Sequence, residues 1–215
     1  MKTETRRLAI LFFMLLIGAV ALTVSVEKEE FQGEENIGRA IQGIDNPAFD
    51  GFMKAMTLIA SYGFSIIVIV ILFVFLWLKS YKLESIFLIV AGLNGILCAG
   101  LKVMVQRIRP AAGAAMFLDY SFPSGHVMNL VVFYGFVMYM AWVLGENSLK
   151  KRAMLLSLFA LLSVFVGLSR VYLGAHWFTD VIGAYLFGGC YVVALVCLYK
   201  RQKAKRKNSM RKLDM

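Results

Sequence analysis

Six long apolar segments constrain this chain more than any other feature. They fall at 8–26, 57–78, 85–105, 127–144, 153–171 and 177–199. Each is close to the length of roughly 20 residues at which a helix crosses about 30 Å of hydrocarbon. The runs show no alternation of polar and apolar residues, which favours helices over the strands of a membrane barrel. Hydrophobic residues make up 60% of the chain and charged residues 17%, a balance too apolar for a soluble domain. We therefore expect one all-α integral membrane domain over residues 1–215, a bundle of six transmembrane helices.

The first apolar segment has two interpretations. Basic residues Lys2, Arg6 and Arg7 precede it, and Ala19-Val20-Ala21 resembles a signal-peptidase site. Because the apolar run continues to Val26, we expect the segment to be retained as a helix. Both outcomes place the same face of the remaining helices outside the cytoplasm.

The distribution of basic residues predicts the orientation in the membrane. Of the 23 Lys and Arg residues, 16 fall in the N-terminus, the connections near 79–82 and 150–152, and the tail 200–215. The positive-inside rule assigns these parts, and therefore both termini, to the cytoplasm. Segments 27–56 and 106–126 are then external. The net charge of +10 lies mainly in the cytoplasmic tail, which favours contact with anionic lipid over nucleic acid.

The first external segment carries its own helix signals. After the acidic residues 27–35, Ile37, Ile41 and Ile44 recur at helical spacing, which is typical of a short helix on the membrane surface. Asn46-Pro47 resembles the start of the next helix, with proline at the first helical position.

Three polar clusters stand at predicted helix ends, all on the predicted external side. Ionisable groups at membrane depth are costly and usually functional. Both histidines of the chain belong to these clusters. In chain order the candidate residues are Lys102 with Arg109, Ser124 with Gly125 and His126, Arg170, and His176 with Asp180.

The spacing within the clusters predicts a shared pocket. Lys102 and Arg109 are two helical turns apart, so they share a face if the helix persists to Pro110. His176 and Asp180 are one turn apart, and a carboxylate there can accept the imidazole N–H and leave the other nitrogen free to attack. Gly125 lets the backbone approach a ligand closely.

Three cations converging on one pocket predict an anionic ligand. Lys102, Arg109 and Arg170 supply three positive charges and about thirteen N–H donors. A phosphate dianion suits this set, and each close contact contributes about 4 kcal/mol of Coulomb attraction before desolvation. Sulfate or carboxylate would also bind, but neither explains two histidines.

The motifs resemble those of the type 2 phosphatidic acid phosphatase family. They are Lys102 with Arg109-Pro110, Pro123-Ser124-Gly125-His126, and Ser169-Arg170 with His176 and Asp180. The six-span layout is similar to the bacterial membrane members, and most similar to the phosphatidylglycerophosphatase type. The resemblance implies hydrolysis of phosphatidylglycerophosphate to phosphatidylglycerol, and also of undecaprenyl diphosphate to undecaprenyl phosphate. It implies that the reaction needs no metal or other cofactor and occurs at the extracytoplasmic face of the cell membrane.

The resemblance also implies a role for each candidate residue. His176 would be the nucleophile that forms a phosphohistidine, and Asp180 would orient it. His126 would protonate the departing lipid alkoxide and then activate water. The implied phosphate-binding residues are Lys102, Arg109, Ser124, Gly125 and Arg170.

Other interpretations stay open at this point. The same site in a lipid phosphotransferase would pass the phosphoryl group to another lipid, and a cationic pocket is also typical of an anion transporter. A metal site of His126, His176 and Asp180 is disfavoured because three cations would repel a divalent ion. Taken alone, Lys102 and Arg109 would be interpreted as basic side chains that extend from a helix end to the lipid headgroups. Asn94 and Arg107 match no motif and are assigned structural or interfacial roles. No obligate protein partner is expected.

Overall fold

The computed structural model describes residues 2–28, 31, 33–110, 120–145 and 148–213. Every regular element in these ranges is a helix. The helices are α1 (Lys2–Glu27), α2 (Glu34–Gln42), α3 (Pro47–Ile59), α4 (Tyr62–Leu78), α5 (Lys82–Gly92), α6 (Asn94–Val105), α7 (Gly125–Asn129), α8 (Gly135–Leu144), α9 (Leu149–Tyr172) and α10 (Phe178–Leu213). A π-helical turn, Leu130–Tyr134, joins α7 to α8.

The described helices confirm an all-α membrane protein. Five are long and apolar enough to cross a membrane: Thr3–Glu27, Lys82–Val105, Gly125–Leu144, Leu149–Tyr172 and Phe178–Ser209. The pair α3 and α4, bent by 51°, makes a sixth if it is counted as one span. The predicted segment 57–78 covers the last three residues of α3 and all of α4, because the helix breaks after Ile59. The helix α3 begins ten residues before the predicted segment, at Pro47.

The connection that precedes α3 follows its sequence signals. The short helix α2 lies where the isoleucine spacing predicts one. The Asn46 side chain accepts hydrogen bonds from Ala48 N at 2.9 Å and Phe49 N at 3.1 Å, and Pro47 occupies the first helical position. The predicted start of this helix at Asn46-Pro47 is confirmed.

Three irregular points in the bundle are joined by one buried polar network. Asn129, at the end of α7, donates to the carbonyl of Ala60 at 3.0 Å and to Ser65 Oγ at 2.7 Å. Tyr134 donates to the carbonyl of Ile59 at 2.6 Å. These carbonyls belong to the break between α3 and α4, where helical hydrogen bonding stops. Side chains thus satisfy backbone groups that a lipid environment cannot.

Asn94 ties the break between α5 and α6 to the same network. Its amide donates to the carbonyl of Ala91 at 2.9 Å and to Asn129 Oδ1 at 3.1 Å, and its oxygen accepts from Tyr62 at 3.2 Å. Asn94 is completely buried, as its structural assignment requires.

A close packing contact places the loop before α7 against α10. Gly183 lies against the ring of Phe122, and a Cβ at this position would overlap that ring. The backbone N–H of Ser124 also donates to the carbonyl of Asp180 at 3.1 Å. The start of α7 is therefore held beside the start of α10.

Candidate active site

The polar side chains at the ends of α6, α7, α9 and α10 come together at one end of the bundle. Arg170 lies in the last turn of α9 and Ser124 caps α7. His176, which is 3% exposed, lies in the connection between α9 and α10. His126 lies within electrostatic reach of His176 and of the cations Arg170, Arg109 and Lys102. The structure thus assembles the three predicted clusters into one site.

His176 and Asp180 are paired, although not as two residues on one helical face. His176 precedes α10, whose first residue is Phe178, and Asp180 is the third residue of that helix. Asp180 Oδ2 lies 3.3 Å from His176 Nδ1 and accepts from the backbone N–H of Trp177 at 2.9 Å. A side chain at the third position that reaches back to the N-cap N–H is one half of a capping box. The helix start itself therefore aims the carboxylate at the imidazole.

The hydrogen bonds to the His176 ring define which ring nitrogen carries the proton and which carries the lone pair. A carboxylate only accepts hydrogen bonds, so Nδ1 must donate to Asp180. Arg109 Nη1 lies 3.4 Å from Nε2, and a guanidinium only donates. Both contacts are consistent with a neutral ring whose Nε2 lone pair is available.

Burial keeps this ring neutral. Enclosure of His176 lowers its pKa to about 4, because an imidazolium loses its hydration there. The hydrogen bond and charge of Asp180 oppose this shift, while the positive charges of Arg170 and Lys102 add to it. At neutral pH the ligand-free site therefore holds an unprotonated imidazole.

Two buried polar atoms in the site have no hydrogen-bond partner. They are Ser124 Oγ and Arg170 Nε, two of four such side-chain atoms found in the described ranges. Buried polar groups are nearly always satisfied, so orphans beside a concave cationic site point to a missing ligand. Arg170 also donates to Thr57 Oγ1 at 3.0 Å through Nη1. Thr57 belongs to no motif and is therefore a site residue that sequence analysis missed.

Lys102 and Arg109 reach the site by different routes. The expectation that they share a helical face is wrong, because α6 ends at Val105 and Gln106 adopts the left-handed conformation with φ 52°. Lys102, in the last turn of α6, donates to the carbonyl of Tyr120 and lies 3.5 Å from that of Ser121. Arg109 donates to the carbonyl of Ala175, next to His176, at 2.6 Å. The extended segment after α6, rather than helical periodicity, carries Arg109 to the histidine.

Gly125 opens α7 directly after Ser124 and is buried. A Cβ on Gly125 would lie 3.5 Å from the ring of Tyr62 and 3.7 Å from Cys98 Sγ, which are ordinary contacts. Packing between protein groups therefore does not by itself require glycine at this position.

Arg107, which matches no motif, lies at the rear of the site. Its Nη1 donates to Asp180 Oδ1 at 2.6 Å and to Thr179 Oγ1 at 2.8 Å, and its Nη2 donates to Glu34 Oε2 at 2.5 Å. Its side chain is 16% exposed. Arg107 and Glu34 lie outside the predicted site because the side-chain hydrogen bonds that hold them join residues at least 72 positions apart in the chain.

The site opens beside α2. A cavity of about 200 Å³ lies between α2 and the start of α10, and His176, Glu34 and Gln42 are among its lining residues. The described residues include no group of three or more His, Cys, Asp or Glu side chains suited to a metal ion. The charged and titratable side chains of the site and its cavity are the imidazoles of His126 and His176, the carboxylates of Asp180 and Glu34, and several cations.

Comparison with known proteins gives concordant matches. Residues 83–204 match the model of the PAP2 superfamily. The chain is 31% identical over 181 residues to phosphatidylglycerophosphatase B of Bacillus subtilis, covering 83% of this chain and 86% of that protein. Its fold matches the crystal structure of a transmembrane PAP2-type phosphatidylglycerolphosphate phosphatase from Bacillus subtilis with a TM-score of 0.80 at 25% identity, covering 88% of this chain and 96% of that one. LpxE of Aquifex aeolicus shares the fold with a TM-score of 0.56 at 23% identity, covering 78% and 97% of the two chains.

Proposed function

This chain belongs to the PAP2 superfamily of phosphatases, and we propose that it hydrolyses phosphatidylglycerophosphate to phosphatidylglycerol and inorganic phosphate. We propose undecaprenyl diphosphate as a second substrate. The observation that carries the proposal is the His176 Nε2 lone pair, which stands among three cations and beside two unpartnered buried polar atoms. A terminal phosphate would satisfy both of those atoms and neutralise the cations.

The reaction proceeds through a covalent enzyme intermediate in two steps. His176 Nε2 attacks phosphorus, the bond between phosphorus and the lipid oxygen breaks, and His126 gives its proton to the departing alkoxide. His126 then removes a proton from water, and the resulting hydroxide attacks phosphorus. The bond to Nε2 breaks, phosphate leaves and the imidazole regains its lone pair.

Fixed cations stabilise the transition state of each step. Phosphoryl transfer spreads negative charge over the three equatorial oxygens, and preorganised donors lower the barrier by meeting that charge. Lys102, Arg109 and Arg170 provide the positive charge, and Ser124 Oγ and Arg170 Nε provide donors that the protein leaves unused. We propose that this set performs the task without a divalent metal.

The proposed orientation places the site at the extracytoplasmic face and both termini in the cytoplasm. The site lies at the first turn of α10, whereas the exposed basic residues between Arg201 and Lys207 lie toward the other end of this 36-residue helix. The positive-inside rule assigns that basic end to the cytoplasm. Modification by a membrane-impermeant thiol reagent tests this: in a variant without native cysteines, Asp45→Cys should react in intact cells and Ser209→Cys should not. The reverse pattern would overturn the orientation.

Phosphate release in excess EDTA tests the reaction itself. Protein in liposomes should release inorganic phosphate from phosphatidylglycerophosphate, and substrate labelled with ³²P should label the protein in an alkaline quench, because phosphohistidine is acid-labile. His176→Asn should remove both signals. A strict magnesium requirement would overturn the metal-free mechanism. Transfer of ³²P to another lipid would instead indicate a phosphotransferase, and phosphate uptake without hydrolysis an anion transporter.

Substrate choice is tested by comparing kcat/KM among four lipids. They are phosphatidylglycerophosphate, undecaprenyl diphosphate, phosphatidate and diacylglycerol pyrophosphate. We expect phosphatidylglycerophosphate to give the highest value, since the relative of 31% identity is a phosphatidylglycerophosphatase. A clear preference for another member of the set would reassign the substrate while leaving the chemistry intact.

A further inference from the structure

A glutamate from the short helix α2 caps the helix that carries Asp180. Glu34 Oε1 accepts from the backbone N–H of Thr179 at 2.6 Å and also from the Thr179 hydroxyl. Thr179 is the second residue of α10, so its N–H has no partner within the helix. A carboxylate at this position satisfies the N–H and interacts favourably with the positive end of the helix dipole. Glu34 and Thr179 are 145 residues apart in the chain, and Glu34 is buried.

The second oxygen of Glu34 holds the arginine that contacts Asp180. Arg107 Nη2 pairs with Glu34 Oε2, and Arg107 Nη1 pairs with Asp180 Oδ1, so one guanidinium bridges two buried carboxylates. A planar guanidinium fixes both partners in a way that a lysine ammonium does not. Since both carboxylates are nearly or fully buried, loss of the bridge would leave each with an uncompensated charge.

The bridge leaves each oxygen of Asp180 with its own set of donors. Oδ1 accepts from Arg107, while Oδ2 accepts from Trp177 N and faces His176 Nδ1. If Arg107 were absent, the carboxylate would be free to rotate about its χ2 bond, and the contact that sets the imidazole tautomer would be divided between two oxygens. The orientation of His176 thus depends on a chain of contacts that begins at α2.

We propose that Glu34 and Arg107 are positioning residues for the reaction, acting on His176 through Asp180. The inference rests on the proposed function. It assigns to α2 a direct part in aligning the nucleophile, in addition to packing. Both side chains are engaged by protein groups, Arg107 by Glu34, Thr179 and Asp180, and Glu34 by Thr179 and Arg107. We therefore expect their loss to lower kcat while KM changes little. A misplacement of the nucleophile of order 1 Å can cost about 100-fold in rate, so we expect losses of about 10-fold to 100-fold.

The experiment compares Glu34→Gln, Arg107→Gln and the double variant with the unmodified protein in liposomes. Asp50→Asn is the matched control, because Asp50 also pairs with a basic residue four positions along its helix, Lys54 at 2.7 Å, and lies outside the cavity beside His176. For each protein we would measure kcat and KM for phosphatidylglycerophosphate, and the number and affinity of orthovanadate sites per chain. Vanadate resembles the transition state of phosphoryl transfer, so its affinity reports on alignment.

The expected result has three parts. Arg107→Gln should lower kcat more than Glu34→Gln, and the double variant should fall within about twofold of Arg107→Gln. The amide oxygen introduced by Glu34→Gln can still accept from Thr179 N, so the contact that this variant loses is the ion pair with Arg107. Vanadate affinity should fall with kcat while one site per chain is retained. Asp50→Asn should match the unmodified protein in all readouts.

Two results would overturn the inference. One is full kcat in Glu34→Gln and Arg107→Gln. The other is a reduced number of vanadate sites with an unchanged rate per site, which would show that the ion pairs serve folding alone. Failure of the unmodified protein to hydrolyse any of the four lipids would instead refute the proposed function, and this inference with it.

Discussion

Asp180 Oδ2 lies 3.3 Å from His176 Nδ1 and, through the same oxygen, accepts the backbone N–H of Trp177 at 2.9 Å. One carboxylate oxygen thus closes the first turn of α10 and orients the imidazole that precedes it. The start of α10 and the orientation of the His176 ring therefore depend on the same carboxylate oxygen. This arrangement separates the two tasks of Asp180, because an amide can reproduce the contact with Trp177 but not the negative charge beside the ring.

Asp180→Asn should preserve the fold and reduce catalysis severely. The asparagine oxygen can still accept from Trp177 N, so the start of α10 should survive. The loss of charge removes the stabilisation of a ring that becomes positive as Nε2 bonds to phosphorus. We expect kcat to fall by about 10⁴-fold, the effect of the equivalent change in a serine protease triad. Steady-state kinetics and thermal unfolding in detergent check this prediction; a loss below tenfold would contradict it.

His126→Gln should give a loss that depends on the leaving group. If His126 protonates the departing oxygen, a lipid alkoxide needs its proton far more than p-nitrophenolate does. We expect kcat to fall by about 10²-fold to 10⁴-fold with phosphatidylglycerophosphate. Formation of the ³²P-labelled intermediate from p-nitrophenyl phosphate should change little. Equal losses of this first step with both substrates would remove His126 from the acid role.

The pH dependence of the first step should reflect the lowered pKa of His176. Only the neutral ring can attack, and burial lowers its pKa from 6.5 to about 4. The rate of intermediate formation should therefore hold from neutral pH to about pH 5 and fall near pH 4. Because the pKa of His176 is lower in the folded protein, the unfolded chain binds this proton at a higher pH than the folded protein does. The free energy of unfolding should therefore decrease as the pH falls from 6.5 to about 4.

A suitable measurement is single-turnover labelling from p-nitrophenyl phosphate in the His126→Gln background, which removes the other titrating imidazole. The remaining charged groups near His176 are Asp180, Arg109, Arg170 and Lys102. An acid limb at pH 6.5 or above would contradict the prediction.

Ser124→Ala should weaken catalysis without harming the fold. The Ser124 hydroxyl is buried with no partner in the ligand-free protein, so its removal should stabilise the fold by up to about 1 kcal/mol. With substrate bound, the same hydroxyl would contact a phosphate oxygen, and we expect kcat/KM to fall about tenfold, equivalent to about 1.4 kcal/mol. Thermal unfolding tests the expected gain in stability, and steady-state kinetics test the expected loss in kcat/KM.

Ser163→Ala is the matched control for that variant. The Ser163 hydroxyl is also buried without a partner. Ser163 lies within α9, two helical turns before Arg170 and therefore away from the site. It should change stability in the same direction and leave kcat/KM unaltered. Unchanged activity in both variants would remove Ser124 from the phosphate site.

The sequence predicts the helices and the candidate site well because their signals are local. Apolar length identifies the membrane helices, and scarce polar residues identify the helix ends that converge around His176. Hydropathy does not reveal the break before Ser61, since apolar residues continue on both sides of it. That break depends on hydrogen bonds between helices. The predicted span 85–105 ends where α6 ends, at Val105, but hydropathy does not reveal the left-handed conformation of Gln106 that follows.

Contacts between distant segments were beyond sequence reasoning for a different reason. Glu34 is one of several acidic residues in a short stretch, and nothing in its spacing points to Thr179 or Arg107. Thr57 is likewise one hydroxyl residue in an apolar helix until the fold places it 3.0 Å from Arg170. Such residues become visible only when the packing of α2, α3, α9 and α10 is known.

The cap that Glu34 places on α10 also determines how much of the chain a chimera or an isolated fragment must include to keep the start of that helix. The matched family segment, 83–204, contains every motif residue, yet Glu34 lies 49 positions before its first residue. A chimera that carried only that segment would bring the reacting groups and leave behind the anchor of the helix from which Asp180 projects. A fragment that keeps this hydrogen bond must therefore include Glu34, which lies outside the segment that matches the family.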